Sequence, residues 1–137
     1  MSSDTHEIRP GQSIELLKAL HILTRDGKMN QDSRRKLKQV YHLFQFIEPL
    51  LKEVKDAQGT VSLVDHGAGK SYLGFILYDL FFKSRGVGHV IGVEARAELV
   101  LKSQALAARL GFDRMRFLAT TVQQALTHPE LPAQIDV

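Results

Sequence analysis

The sequence contains no cysteine and no tryptophan among its 137 residues. Without cysteine the chain has no disulfide framework, no thiolate metal site and no cysteine nucleophile. The six histidines show no spacing typical of a metal site, so no bound metal is expected. No apolar run approaches the roughly 18 residues of a membrane-spanning helix, and the first ten residues lack the apolar core of an export signal. We therefore expect a cytoplasmic protein.

The composition is that of a folded domain, with 44% hydrophobic residues and a net charge of only +3. Positive charge is concentrated between Arg25 and Lys38, where six basic residues accompany two acidic ones. A solvated helix face is the simplest interpretation of this segment, although it also suits an anionic partner such as RNA. The candidate contacts to such a partner are Arg34, Arg35, Lys36 and Lys38.

Two helices are predicted in the first part of the chain. After a cap at Ser13, apolar residues at helical spacing predict a first helix that continues through Leu23. A longer helix begins near Asp32, and Pro49 inside it predicts a kink or a restart. We expect residues 1–58 to form a helical appendage.

Beyond the appendage, short apolar or β-branched runs alternate with helical stripes. The predicted strands are residues 60–64, 89–93 and 115–118, with the stub of a fourth at 135–137. The intervening helices are predicted from Tyr72 to Phe81, up to a C-terminal glycine at Gly111, and from Val122 to Leu126. This alternation is typical of βαβ units. The predicted fold is therefore α/β, with a Rossmann-like parallel sheet in residues 59–137.

A glycine-rich turn, residues 65–71, follows the first strand, where ligands of open α/β sheets bind. The turn lacks the leading glycine of a phosphate-binding P-loop, because that position is Val64. A dinucleotide site is disfavoured, since Tyr72 replaces its third glycine and Asp65 would repel a pyrophosphate.

A ligand with a positive charge near the turn suits these residues better. Asp65 can pair with an ammonium group, and Glu94, at the end of the second strand, can accept hydrogen bonds from both hydroxyls of a ribose. On the residues alone, the dinucleotide and the positively charged ligand both stay open.

The order strand-Asp65-x-Gly67-x-Gly69, then strand-Glu94, resembles motif I and the acidic loop of class I S-adenosylmethionine-dependent methyltransferases. The resemblance covers about residues 60–137. A closer likeness is to a methyltransferase-domain family that includes uncharacterised and RNA-directed members. That likeness lies in residues 64–73 and 92–100, and residues 32–40 are similar to the segment before the core of that family.

The resemblance implies that S-adenosylmethionine is the cofactor. The implied binding residues are Asp65, Gly67, Ala68, Gly69, Lys70, Glu94, Ala95, Thr121 and Val122. In this interpretation Asp65 holds the methionine amino group, Glu94 takes the ribose hydroxyls, and the backbone of the glycine turn lines the methionine and ribose side. Ala95, Thr121 and Val122 lie on the adenine side. The acid usual after the third strand is absent, and Ser71 replaces the common third glycine.

The resemblance also implies a larger sheet whose order begins 3-2-1-4, with the residues that position the methyl acceptor after its fourth strand. We therefore expect the cofactor-binding part of a truncated domain, incomplete at its C-terminus, with little or no activity alone. Catalytic residues are expected beyond Val137, and the acceptor is open. If only the stub of the fourth strand is present, the thinly covered edge of the first strand predicts self-association, marginal stability or a ligand needed for order. The rival hypothesis is a non-catalytic Rossmann-like module that uses residues 25–38 to hold nucleic acid or a protein.

Overall fold

The computed structural model describes residues 8, 9 and 11–125. Contacts within the chain divide it into two compact units, Met1–Pro49 and Leu50–Val137. The predicted domain division after residue 58 stays a prediction. No helix in the described part of the chain is long and apolar enough to cross a membrane. A cytoplasmic location stays a prediction.

The first helix, α1, is short and spans Ile14–Ala19. The Ser13 hydroxyl caps it as predicted, accepting a hydrogen bond from an amide of the first turn at 3.1 Å. The predicted continuation through Leu23 is wrong. The amides of Ile22 and Leu23 both donate to the Leu17 carbonyl, and both side chains are buried. The helix ends at Ala19 because the chain turns to bury the Ile22 and Leu23 side chains in the core. Helical periodicity alone does not predict this turn.

The second helix, α2, spans Gln31–Gln58 and contains Pro49. The predicted restart is wrong, because the helix is continuous through the proline, while a kink there stays a prediction. Proline removes one hydrogen bond to the carbonyl four residues earlier, which belongs to Gln45. Both residues are exposed, so water can satisfy that carbonyl and the helix persists.

The unit Met1–Pro49 has its own apolar core. Its buried side chains are Leu16, Leu17, Ile22, Leu23, Met29, Leu37, Val40 and Phe44. In the same unit, the Tyr41 hydroxyl donates a hydrogen bond to the Gln12 side-chain oxygen at 2.7 Å.

The described part of the unit Leu50–Val137 contains three parallel strands, β1 (Ser62–His66), β2 (His89–Glu94) and β3 (Met115–Ala119), in the order β1-β2-β3. The predicted α/β fold with a parallel sheet is confirmed, as is the 3-2-1 part of its order. The fourth-strand stub at 135–137 lies outside the described residues. β1 lies two residues later than predicted, because Asp65 pairs with Gly92 and His66 with Val93. Asp65 is therefore part of the strand.

Helical segments lie between the strands and after β3. They are α3 (Tyr72–Leu77), a π-helical turn (Tyr78–Phe82), α4 (Lys83–Arg85), α5 (Ala97–Leu110) and α6 (Val122–Ala125). The predicted end of α5 is confirmed, because Gly111 adopts the left-handed conformation with φ +73°.

The sheet is covered closely by α3. A Cβ at Gly74 would lie 3.3 Å from the Val90 side chain, so glycine permits the close approach. The ring of Phe75 lies against that of Phe117 in β3, with centroids 5.8 Å apart. Other buried sheet residues, Ile91, Val93 and Leu118, form an apolar cluster. This packing holds the turn before α3 at the carboxyl end of β1.

Candidate functional site

The carboxyl ends of the three strands are joined at Glu94. The Ala68 amide, in the glycine turn, donates to the Val93 carbonyl at 2.8 Å. The Gly69 amide donates to the Glu94 carboxylate at 2.8 Å. On the other side, the Thr120 amide donates to the Glu94 carbonyl at 3.1 Å. The turn after β1 and the segment after β3 are thus both attached to the end of β2.

The glycine turn exposes its backbone. Gly67 (φ +68°), Gly69 (φ +61°) and Ser71 (φ +61°) all adopt left-handed conformations, which favour glycine. A Cβ on Gly67 would meet nothing within 4 Å, so the space over this residue is open. The amides of Gly67 and Lys70 donate to no acceptor among the described residues. Two backbone donors therefore remain available to a ligand.

Ser71 is buried and anchors the turn. Its hydroxyl lies 3.2 Å from that of Ser103 in α5, and the Ser103 hydroxyl also lies 3.5 Å from the Lys70 carbonyl. Ser103 was not among the predicted site residues. Its signal was a polar residue spaced four from Leu99 and from Ala107, within the apolar stripe of α5.

Asp65 is a half-buried carboxylate at the carboxyl end of β1. No described residue donates a hydrogen bond to its side chain. Burial raises the pKa of Asp65 above its ordinary value, and the neighbouring His66 lowers it by less. A cationic ligand group beside this carboxylate would replace the lost hydration, so Asp65 is an acceptor with unused capacity.

The Glu94 side chain, by contrast, is fully engaged. It is 7% exposed, and its oxygens accept hydrogen bonds from the Gly69 amide, from the Arg96 amide at 2.9 Å and from the Arg96 guanidinium at 2.8 and 3.3 Å. The hydrogen bonds from the Arg96 side chain and amide, and from Gly69, lower the pKa of Glu94 to about 2. The carboxylate is therefore ionised at neutral pH. Arg96 was not among the predicted site residues, although it lies two residues after the acid at the end of β2.

The residues predicted on the adenine side follow the neighbouring strand ends. Ala95 is exposed directly after β2. Thr121 follows β3, whose Ala119 is paired with Glu94, and its hydroxyl caps α6 by accepting from the Gln124 amide at 3.1 Å. Val122 is the first residue of α6. Their contact with adenine stays a prediction.

The predicted basic contacts lie in the other unit, in the first turns of α2. Asp32 pairs with Arg35 and, at 3.1 Å, with Lys36. The hydrogen bond from Lys36 is the main cause of the lowered pKa of Asp32. Lys36 also donates to the His21 carbonyl at 3.0 Å. Part of the positive charge counted in the sequence is therefore matched by an acidic neighbour.

The strand-end site combines one carboxylate open to a cation, a second ionised carboxylate and two available amides. Within residues 8, 9 and 11–125, no cluster of three or more His, Cys, Asp or Glu side chains could hold a metal ion. The arrangement suits a small polar ligand with a positive charge and hydroxyl groups.

A family model described as a methyltransferase domain matches residues 35–137, about three quarters of the chain. The chain belongs to this methyltransferase-domain family. The family prediction made from the glycine turn and Glu94 is thereby confirmed. The comparison of this chain with curated proteins finds no match.

The methyltransferase-domain chain is also similar to three solved structures. The YcgJ protein of Bacillus subtilis is 23% identical, with a TM-score of 0.43, over 64% of this chain and 34% of that one. A SAM-dependent methyltransferase of Aquifex aeolicus is 18% identical, with a TM-score of 0.35, over 61% and 46%. A candidate protein-L-isoaspartate O-methyltransferase of Plasmodium falciparum, in complex with S-adenosyl-L-homocysteine, is 16% identical, with a TM-score of 0.46, over 91% and 66%. This chain thus spans from about a third to two thirds of their lengths.

Proposed function

We propose that this chain binds S-adenosylmethionine at the glycine turn and Glu94, as the cofactor-binding part of a class I methyltransferase. The observation that carries the proposal is the pair of carboxylates, Asp65 and Glu94, at the ends of two adjacent parallel strands. The Gly69 amide, which donates to Glu94, holds the glycine turn between them. Ligands of parallel sheets bind at this end of the strands.

The residues present fit the methionine part of the cofactor. The Asp65 carboxylate has no hydrogen-bond donor among the described residues, so the methionine ammonium group supplies its missing partner. The open space over Gly67 leaves room for a ligand against the backbone. The available amides of Gly67 and Lys70 suit the methionine carboxylate.

The nucleoside part is assigned to Glu94. Its carboxylate is ionised and can accept hydrogen bonds from two ribose hydroxyls once the Arg96 guanidinium has moved away. Ala95, Thr121 and Val122 are proposed to line the adenine side.

When bound, S-adenosylmethionine supplies a methyl group on a positively charged sulfur, and its transfer depends chiefly on alignment with the acceptor atom. The residues of this chain bind and orient: Asp65 and the turn hold one end of the ligand, and Glu94 holds the other. The catalytic residues and the acceptor are not among the assigned groups, and activity of this chain alone is expected to be weak or absent.

The test is isothermal titration with S-adenosylhomocysteine. The wild-type protein is compared with Asp65→Asn and with Asp113→Asn, which removes an exposed carboxylate from the turn before β3. Wild type and Asp113→Asn should bind alike. Asp65→Asn should bind at least about tenfold more weakly, because a hydrogen bond to a charged group contributes about 1.5–3 kcal/mol.

Absence of binding by the wild-type protein would contradict the proposal. Equal binding by Asp65→Asn would show that Asp65 is not the partner of the ammonium group. Tight binding of NAD, with none of S-adenosylhomocysteine, would instead support the dinucleotide alternative.

RNA is the acceptor that the basic segment of α2 suggests, and Lys38 and Arg35 are exposed there. The test replaces Arg34, Arg35 and Lys36 by Gln and measures RNA binding at several salt concentrations. The matched control replaces Lys52, Lys102 and Arg116 by Gln, which removes the same charge elsewhere. An equal loss of RNA binding in both triple variants would show that only the net charge determines RNA binding. RNA binding without any binding of S-adenosylhomocysteine would support the non-catalytic module.

Self-association is proposed to use β1. Among the described strands, β1 pairs only with β2, so no described strand lies on its other edge. Sedimentation equilibrium over a range of protein concentrations tests this, and a monomer at all of them would contradict it.

A further inference from the structure

The side chain of Arg96 occupies positions on Glu94 that a ribose needs. A carboxylate has about four lone-pair positions for hydrogen-bond donors. In the structure four donors take them: the Gly69 amide, the Arg96 amide, and Nε and Nη2 of the Arg96 guanidinium. No position is therefore left for two ribose hydroxyls while the guanidinium stays in place.

The four donors differ in how easily they can leave. The two amides belong to the backbone of the glycine turn and of the segment after β2, so they stay and keep the carboxylate oriented. The Arg96 side chain is 62% exposed, so the guanidinium can move into water when another donor takes its place on Glu94. Nη2 also lies 3.8 Å from the position that a Cβ on Gly69 would have. The guanidinium thus covers both the carboxylate and the glycine turn.

We propose that the Arg96 side chain is a displaceable substitute for the ribose. It neutralises the buried Glu94 carboxylate in the ligand-free protein and competes with the nucleoside for the same oxygens, so it lowers the affinity for adenosyl ligands. This inference rests on the proposed function. The opposite role, in which Arg96 only keeps Glu94 oriented, predicts the opposite sign, because removal of the guanidinium would then weaken binding.

The experiment is isothermal titration of S-adenosylhomocysteine into wild type, Arg96→Met and Arg116→Met. Methionine keeps an unbranched apolar stem without the donors. Arg116, exposed near the amino end of β3, is the matched control, since its replacement changes the net charge equally. At about 50 mM salt we expect Arg96→Met to bind about twofold to fivefold more tightly than wild type, as expected for removal of an exposed ion pair. Arg116→Met should bind like wild type.

Salt supplies an independent readout. Salt screens the Arg96–Glu94 pair in wild type, whereas the pair between Asp65 and the methionine ammonium group is present in every variant and is screened alike. The ratio of the affinity of Arg96→Met to that of wild type should therefore fall towards one at about 500 mM salt. Circular dichroism and cooperative urea unfolding establish that the variants are folded.

Equal or weaker binding by a folded Arg96→Met would overturn the inference and leave the proposed function intact. If Arg96→Met does not fold, Arg96→Ala takes its place in the same titration and salt series, and equal or weaker binding by a folded Arg96→Ala would overturn the inference. Failure of every protein to bind S-adenosylhomocysteine would overturn the proposed function, and this inference with it.

Discussion

The hydroxyl groups of Ser71 and Ser103 lie 3.2 Å apart in the protein interior and join the glycine turn to α5. Ser71 does this from a left-handed backbone conformation, with φ +61°. In a residue with a side chain, this conformation costs about 1 kcal/mol. A buried hydrogen bond contributes a similar amount, about 1 kcal/mol. Compared with glycine, serine at this position therefore has a strained backbone but gains a hydrogen bond to α5.

This balance predicts different effects for two substitutions. Ser71→Ala loses the hydrogen bond and keeps the strain, so its free energy of unfolding should fall by about 1 kcal/mol. Ser71→Gly loses the hydrogen bond but removes the strain, so it should stay close to wild type. Urea unfolding measures both. In a Ser103→Ala background the effect of Ser71→Ala should largely disappear. A Ser71→Gly variant less stable than Ser71→Ala would contradict this account.

Gly67 should matter for binding as well as for stability. Gly67→Ala and Gly111→Ala both place a Cβ on a residue with positive φ and open surroundings, +68° and +73°. Each should lower the free energy of unfolding by about 1 kcal/mol. Only Gly67→Ala should also weaken binding of S-adenosylhomocysteine, since its methyl group enters the space over the turn. Unfolding and titration of the pair test this, and equal affinities for the two variants would show that the space is not the ligand site.

Asp65→Asn should stabilise the ligand-free protein at neutral pH. Burial raises the pKa of Asp65 in the folded state, so the folded protein binds the proton more tightly than the unfolded chain does. The ionised carboxylate therefore destabilises the fold, and this penalty is present at neutral pH and fades as pH falls through the raised pKa. In thermal unfolding at about pH 7, Asp65→Asn should have a higher midpoint than wild type. The difference between the two midpoints should be smaller at about pH 3.5. A lower midpoint at pH 7 would be contrary to expectation.

Glu94 should contribute to acid sensitivity with the opposite sign. Its pKa is lowered from 4.5 to about 2 in the folded protein, so its ionised form stabilises the fold. That contribution is fully present above about pH 4.5 and is lost as the pH falls to about 2. The difference in free energy of unfolding between wild type and Glu94→Gln should therefore shrink across this range. Urea unfolding at about pH 6, 4 and 3 measures it. The matched control is Glu98→Gln, in the exposed first turn of α5, and a constant difference for Glu94→Gln would contradict the prediction.

Local patterns predicted much of this protein. The three strands, the cap at Ser13 and the end of α5 at Gly111 follow from residue types close together in the chain. The end of α1 does not follow from local residue types. The helical spacing of apolar residues continues to Leu23, but burial of Ile22 and Leu23 requires the chain to turn away. The rule that proline interrupts a helix also did not predict that α2 continues through Pro49. The helix continues because exposure to water makes the missing hydrogen bond tolerable.

The sequence by itself determined the family, the alternation of strands and helices, and the place of the glycine turn after the first strand. Only the tertiary structure decided how the two carboxylates differ. Parallel pairing of β1 with β2 brings Gly69 to Glu94, 25 residues later, while Arg96 folds back onto the same carboxylate and Asp65 receives no donor among the described residues. Hydrogen-bond partners at such separations depend on distances across the sheet, and no local pattern of residues encodes those distances.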